Sequence, residues 1–386
     1  MTLSELQGLE RAYAIGTYVR NPVQFVRGEG VLLWDEDGHE YLDFLAGIGV
    51  LNVGHCHPRV VAAVQAQVAR LTHVSNLYYT EGVMRLSAAL SESSLHGKVF
   101  LCNSGAEANE AAIKLARRFR PGGEVVVLRE GFHGRTYGAL SATPQESKQA
   151  PFAPLVPGFV VAAKTPGALR AAVTERTAAV LLEPIQCESG VHVLSDELLI
   201  AAREACDAVG AALIFDEVQT GMGRTGTLWA YEGTPVVPDA LTSAKGLGGG
   251  LPIGALVTGP RLADVLRPGD HGSTFAGGPL ACAAALESLA ICSEVGLLRR
   301  VVELGERLRA ALAELPFVAS VRGRGLLAGV DLLEGVDAVA LARRALLEQR
   351  LVINATGPGT LRLEPPLVVS AAQIDEAVSR LSRLHG

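Results

Sequence analysis

Between about residue 50 and residue 290, short aliphatic and β-branched runs alternate with longer stretches whose apolar positions recur at helical spacing. Val125 to Leu128, Ala178 to Leu182, Ala211 to Phe215 and Leu241 to Ser243 are too short for helices and read as strands. Their unbroken apolarity marks strands covered on both faces, and strands alternating with helices predict a mostly parallel sheet. Active sites of such sheets form at the carboxyl ends of the strands, so the residues just past these runs are the first candidates. Upstream, Val31 to Trp34, the polar turn Asp35 to Gly38 and the run Glu40 to Phe44 predict a hairpin preceding the main sheet. After Pro279 the pattern turns helical through Arg309 to Leu315. Val318 to Val321 and Leu326 to Asp331 then read as strands, and an amphipathic helix over Ala371 to Leu384 closes the chain. The expected division is a large α/β domain over residues 48–288 and a smaller α+β unit over 289–386, to which residues 1–47 contribute. No internal repeat or low-complexity tract points to a solenoid or propeller.

Composition narrows the function classes. The chain has 386 residues, enough for two or three units, and its 49% hydrophobic and 19% charged content is that of a folded chain with a large core. Its net charge of −6 and the absence of any basic stripe argue against a nucleic-acid partner. Met1 to Arg11 lacks the pattern of a signal peptide, and no apolar run approaches the roughly 18 residues of a membrane span; a cytoplasmic location without membrane attachment is expected. Six cysteines without a C-x-x-C pair fit neither a zinc cage nor a disulfide scaffold, so no metal is expected and the thiols read as reduced.

Lysine is rare here. Lys98, Lys114, Lys148, Lys164 and Lys245 are five of 34 basic residues, the rest being arginine. Arginine keeps its proton in proteins, whereas a lysine amine can lose it and attack a carbonyl to form a Schiff base. Lys245 follows the run Leu241 to Ser243 and opens a glycine stretch, which reads either as a nucleophile or as a solvated loop lysine; the other four read as surface charges. Asp216 is the first polar residue after Ala211 to Phe215. A carboxylate there needs a cationic or protonated partner, unless it is an N-cap or a structural salt bridge. Ser104 and Glu107 are spaced as a capping box, and the same helix start, with Gly105 allowing close approach, suits a phosphate. His133 reads as structural, and the cluster Gly54-His55-Cys56-His57-Pro58 as a turn rather than a metal site.

Together, Phe25 to Gly30, Gly54 to Pro58, Asn103 to Glu110 (NSGAEANE), Phe132 to Thr136 (FHGRT), Phe215 to Arg224 (FDEVQTGMGR), Lys245 to Gly250 (KGLGGG) and Gly272 to Phe275 resemble the class III pyridoxal-phosphate-dependent aminotransferases of fold type I, most closely the acetylornithine/ornithine subgroup. The resemblance spans nearly the whole chain. It implies that Lys245 holds pyridoxal 5'-phosphate covalently and later moves the substrate proton, and that Asp216 pairs with the pyridine nitrogen so that the ring accepts electrons. Gln219 would meet the ring's phenolic oxygen, Ser104, Gly105 and Ala106 the phosphate, and Phe132 the ring face. Thr274 would reach the phosphate of a second subunit, implying a homodimer with shared active sites, and Ser273 would line the substrate site.

The subgroup also uses 2-oxoglutarate as acceptor, so its pocket needs fixed positive charge. Arg135 and Arg362 are the expected carboxylate clamps, with Glu188 matching the glutamate that shields the second. The chain departs from the pattern at Cys187 and Ser189, side chains expected to stiffen or narrow the gate around Glu188, and in Ala276 to Leu280, which lacks an asparagine before Pro279. The implied reaction converts N-acetylornithine and 2-oxoglutarate to N-acetylglutamate semialdehyde and glutamate, in arginine biosynthesis. Transaminases acting on carrier-linked aminoadipate semialdehyde, on ornithine or on 4-aminobutyrate share most of these motifs. A non-catalytic scaffold would be expected to have lost Lys245 or Asp216.

Overall fold

The computed structural model describes residues 1–384, so the last two positions of the expected 289–386 unit lie outside the described residues. The N-terminal hairpin forms as expected, with a strand before it that the pattern does not signal: β1 (Phe25–Glu29) pairs with β2 (Leu32–Asp35) and β2 with β3 (Glu40–Asp43), all antiparallel.

The large sheet takes β4 (Val99–Cys102), β5 (Glu124–Leu128), β6 (Phe159–Ala162) and β7 (Thr177–Leu182) from the middle of the chain. A short hairpin, β8 (Ile185–Gln186) with β9 (His192–Val193), stands apart from it. The sheet is completed by β10 (Ala212–Asp216), β11 (Ala240–Ser243) and β12 (Gly254–Thr258), in the order β4-β12-β11-β10-β7-β5-β6. Every neighbouring pair is parallel except those of β12, which runs against both β11 and β4.

The apolar runs are continuous because alternate residues enter different cores. Val125, Val127, Ala179, Leu181 and Ile214 pack with Ala111, Ala112 and Leu115 of the helix Gly105–Phe119. Val126, Leu128, Val180, Leu182 and Phe215 face the other way, onto Leu198, Leu199 and Ala202 of the helix Asp196–Val209. Each such side chain contributes about 1.5–3 kcal/mol by leaving water. The helices thus clamp the sheet from both sides and leave its strand ends free to carry polar groups.

The third sheet is antiparallel. It contains β13 (Val318–Arg324) and β14 (Leu327–Leu332); β15 (Leu351–Val352) instead joins β3 in the N-terminal sheet, and β16 (Asn354–Gly357) and β17 (Thr360–Leu363) complete the order β13-β14-β17-β16. The helical stretch after Pro279 is two helices, Pro279–Cys292 and Val295–Ala313, bent by 68° at the break. The first has no polar stripe because it is covered by the helices Pro58–Val68 and Glu81–Glu92. No single helix among the described residues is long and apolar enough to cross a membrane. Phe44, Leu247, Leu289, Leu308, Leu326 and Leu363 belong to one continuous core, so the three large sheets share an interior.

The helix Val295–Ala313 lies on β13 and β14 at a distance that only glycine allows: a Cβ at Gly305 would sit 2.0 Å from the Gly325 carbonyl oxygen. Gly305→Ala should lower the thermal midpoint, with an overpacking cost of about 1–3 kcal/mol. Gly296→Ala in the same helix, where nothing lies within 4 Å, should leave it unchanged. Equal shifts in the two variants would contradict this packing.

Candidate active site

Asp216 ends β10 with 4% of its surface exposed. Its Oδ2 accepts a hydrogen bond from Asn109 Nδ2 at 2.7 Å and another from His133 Nδ1 at 2.7 Å, while the Val218 amide donates to Oδ1 at 3.0 Å. Asn109 is itself fixed, donating to the His133 carbonyl at 2.8 Å and accepting from Thr242 of β11 at 2.8 Å. Burial disfavours the charged imidazole, yet the hydrogen bond and charge of Asp216, helped by Glu183, raise the His133 pKa above its ordinary value. The expected structural histidine is therefore the ionic partner of the key carboxylate.

Lys245 follows β11 in the left-handed region, φ 43, a conformation that a non-glycine residue holds only where its surroundings impose it. Its Nζ donates to Gln219 Oε1. Burial holds its pKa below the usual lysine value, with the Glu364 charge opposing, which favours the neutral, nucleophilic amine. Gln219 Nε2 donates in turn to Glu364 Oε2 at 2.6 Å.

The third feature is a helix start. Ser104 Oγ caps the helix Gly105–Phe119 by accepting from the Glu107 amide at 3.2 Å, but the Glu107 carboxylate takes the Asn103 amide at 2.7 Å, so the expected reciprocal box is displaced by one residue. The first intrahelical bond is made by the Ala108 amide to the Ser104 carbonyl, which leaves the Gly105 and Ala106 amides ahead of it. A Cβ at Gly105 would strike Val218 Cγ1 at 2.6 Å. Gly134, at φ 135, lets the loop 132–135 pack on Ala106.

These groups face one cavity of about 650 Å³. Lys245, Asp216, Gln219, Ser104, Gly105 and Ala106 line it, as do Phe132, Arg135 and Glu188. The remaining three expected residues lie elsewhere. Ser273 and Thr274 line a second cavity of about 770 Å³ with Asn76, Leu77 and His271, although Ser273 Oγ accepts from Asn103, a residue of the first cavity, at 3.0 Å. Arg362, on β17, is 3% exposed and is not among the residues that line the cavity.

Several polar contacts differ from expectation. Glu188 is bound by Lys148 at 2.7 Å and Gln145 at 3.1 Å, whereas Arg362 pairs with Glu364 at 3.2 Å. Lys148 is thus no surface charge: its ammonium stands 5.4 Å from the Phe132 ring centroid, with the Arg135 guanidinium 5.7 Å from the same ring. Cys187 does not narrow the gate, because its side chain packs inward on Ile185, Val191 and Leu327 and burial pushes its thiol pKa up. His55 bonds Asp43 at 2.7 Å and His57 caps the helix Pro58–Val68, which agrees with a turn at 54–58. The sequence reading passed over Glu183, although it is the first polar residue after the apolar run of β7 as Asp216 is after that of β10; it lines the cavity and accepts the Phe132 amide at 3.0 Å.

The profile of the family Aminotransferase class-III matches residues 15–384. The chain belongs to the class III aminotransferases. This class III aminotransferase is 46% identical to the acetylornithine aminotransferase of Methanocaldococcus jannaschii, over 97% of this chain and 96% of the relative. It is 49% identical to that of Streptomyces coelicolor, over 95% and 92%. Among solved structures, the ornithine aminotransferase of Toxoplasma gondii superposes with a TM-score of 0.94 at 35% identity, covering 100% of this chain and 95% of that one. The acetylornithine aminotransferase of Elizabethkingia anophelis gives 0.89 at 34% identity, covering 99% and 98%. The α/β fold type I expected from the motifs is the fold observed.

Class III aminotransferases depend on pyridoxal 5'-phosphate, and the cavity suits it. A buried carboxylate, an amine with a depressed pKa and free helix-start amides answer a protonated ring nitrogen, an aldehyde and a phosphate.

Burial pushes the carboxyl pKa of Glu183, and likewise that of Glu217, from 4.5 up to about 8. The folded chain therefore keeps protons that the unfolded chain releases. The stability this confers is complete below pH 4.5 and is lost as pH rises through 8. The thermal midpoint of the cofactor-free enzyme should fall across that window. Glu217→Gln, outside the cavity lining, should flatten the fall; an unchanged slope would contradict the assignment.

Proposed function

We propose that this aminotransferase moves the ω-amino group of N-acetylornithine to 2-oxoglutarate, giving N-acetylglutamate semialdehyde and glutamate in arginine biosynthesis, as a cytoplasmic homodimer. The observation that carries the reaction type is the joining of the Lys245 amine and the buried Asp216 carboxylate in one cavity. The choice of donor is supported by near full-length identity of 46% and 49% to acetylornithine aminotransferases. In this reading residues 48–288 hold the cofactor, while 1–47 and 289–386 form the smaller unit that contributes Arg362.

Bound pyridoxal phosphate supplies an electron sink for the pair left when a donor C–H bond breaks. Lys245 Nζ, held on Gln219, takes that proton from the donor carbon and in the second half-reaction returns one to the acceptor Cα. Asp216 would hold a proton on the ring nitrogen, and His133 and Asn109 keep the carboxylate in place. Ser104, Gly105 and Ala106 would hold the phosphate at the helix start, Phe132 would cover the ring, and Gln219 would meet the phenolic oxygen. Arg135 binds the substrate carboxylate remote from the reacting carbon, and Arg362 binds the α-carboxylate of glutamate.

Thr274 serves the opposite subunit, and Ser273, bonded to Asn103, lines the substrate site. The position of Thr274 away from this chain's own cavity supports that reading, as do the exposed Leu77 (84%) and Phe275 (67%) nearby.

The cofactor-loaded enzyme mixed with one donor at a time should show fast conversion of its visible absorbance with N-acetylornithine and glutamate. Ornithine, 4-aminobutyrate and lysine should react at least about tenfold more slowly, a modest discrimination for one pocket. Lys245→Ala should convert with none of them. Reaction with glutamate alone would leave the dicarboxylate clamp standing and overturn N-acetylornithine as donor; fast conversion of ornithine would point to the activity of the Toxoplasma neighbour.

A further inference from the structure

The loop 267–275, which carries Thr274, is held by two sets of polar contacts, one just ahead of the helix Gly105–Phe119 and one on it. Ahead of the helix, Asn103 Nδ2 donates to Ser273 Oγ at 3.0 Å, while the Asn103 side-chain and backbone amides both donate to Glu107 Oε2, at 2.8 and 2.7 Å. On the helix, Lys114 Nζ donates to the Asp270 carbonyl at 3.0 Å and stands 3.0 Å from His271 Nδ1. Arg118, four residues on and on the same helix face, donates through Nε to Asp270 Oδ2 at 3.2 Å, and that oxygen also accepts the Arg267 amide at 2.9 Å. An ammonium has donors and no acceptor, so His271 Nδ1 must accept from Lys114, which makes the ring the neutral tautomer with its proton on Nε2. Burial and the Lys114 charge hold the His271 pKa below its ordinary value, in agreement with a neutral ring. The ring packs on Phe100 of β4 with centroids 4.7 Å apart.

One ammonium thus fixes two consecutive loop residues, Asp270 and His271, just before Thr274. Lys114 is not among the residues that line this chain's own cavity, so these contacts do nothing there directly. What they do is tie the loop to a helix whose start, Ser104 to Ala106, faces that cavity. A single rigid element therefore touches two sites: its first residues face the phosphate position of its own chain, and its later turns hold the loop read as serving the other. We propose that Lys114 is a positioning residue for the cofactor phosphate of the opposite subunit: by binding the Asp270 carbonyl and His271 Nδ1 it fixes the loop from which Thr274 reaches across the dimer. The assignment rests on the reading of Thr274 as a residue that acts on the other subunit. It gives a lysine expected to be a plain surface charge a role in a site that its own chain does not contain.

The test is equilibrium titration of the cofactor-free enzyme with pyridoxal 5'-phosphate and, separately, with pyridoxal, which lacks the phosphate, each followed by the absorbance of the bound ligand. Lys114 is exposed, so the bonds it makes are of ordinary strength, and Lys114→Met should weaken pyridoxal phosphate by about three- to tenfold while leaving pyridoxal unchanged. Equal weakening of both ligands, the mark of a packing defect, or no weakening of either would overturn the proposal. A hybrid dimer of one Lys114→Met chain and one Lys245→Ala chain, isolated through two different affinity tags, shows on which subunit Lys114 acts. The site that keeps Lys245 then receives its loop from the chain with Lys114 intact, and it should bind pyridoxal phosphate as tightly as the unaltered enzyme does. Weakness that persists in the hybrid would confine the effect of Lys114 to its own chain and overturn the proposal. Thr274→Val tests the underlying reading separately: it should weaken pyridoxal phosphate at least as much as Lys114→Met and be rescued by the same pairing. Full affinity in Thr274→Val would show that Thr274 holds no phosphate, whatever the Lys114 variant does.

Discussion

A carboxylate sealed inside a protein is costly unless donors and opposite charge surround it, and the large domain is arranged around one such group. Asp216 sits where β10 emerges from the sheet. It takes Asn109 from the helix Gly105–Phe119, His133 from the loop after β5, and the Val218 amide from its own turn. Asn109 is pinned in turn by Thr242 of the neighbouring strand β11, whose end carries Lys245. Satisfying one carboxylate therefore sets the relative positions of the helix start, the loop that carries Phe132, and the lysine. The apolar layers on both sheet faces make those positions rigid, because shifting a strand end would unpack two cores at once.

A second polar line crosses from the large sheet to the C-terminal one. Lys245, Gln219, Glu364 and Arg362 are joined by direct contacts although they come from two different sheets, and the shared core holding Phe44, Leu247 and Leu363 keeps those sheets from sliding. Electrostatics here is a question of occupancy. Glu188, at the cavity, is paired with Lys148, and Glu364, fully buried, lies against Arg362, so neither carboxylate stands without a cation beside it.

Much of this was legible in the order of residues, for physical reasons. Doubly covered strands must be continuously apolar, which exposed β5, β7, β10 and β11, and the first polar residue after such a run stands out, as Asp216 does. Lysine scarcity singled out Lys245. Direction along the sheet was not legible, since Gly254–Thr258 is an apolar run whichever way it points, and β12 proves antiparallel. Nor was pairing between distant side chains. Gln219 and Glu364 are 145 positions apart and His133 and Asp216 are 83 apart, separations to which no periodicity applies. Lys148 looked like any helical surface lysine because its partner Glu188 lies 40 positions further along the chain, and Glu364 was hidden beside the more conspicuous Arg362. Glu183 was within reach of the same rule that found Asp216.

The site is built on one fixed pair, a protonated His133 held on the Asp216 carboxylate at 2.7 Å. Nitrogen NMR of the enzyme labelled at its histidine rings reads this directly, with Asp216→Asn identifying the His133 signal. Both His133 ring nitrogens should still carry protons above pH 6.5, the ordinary histidine value, and the second proton should be lost at lower pH in the asparagine variant. A neutral, singly protonated His133 ring at pH 6.5 would contradict it.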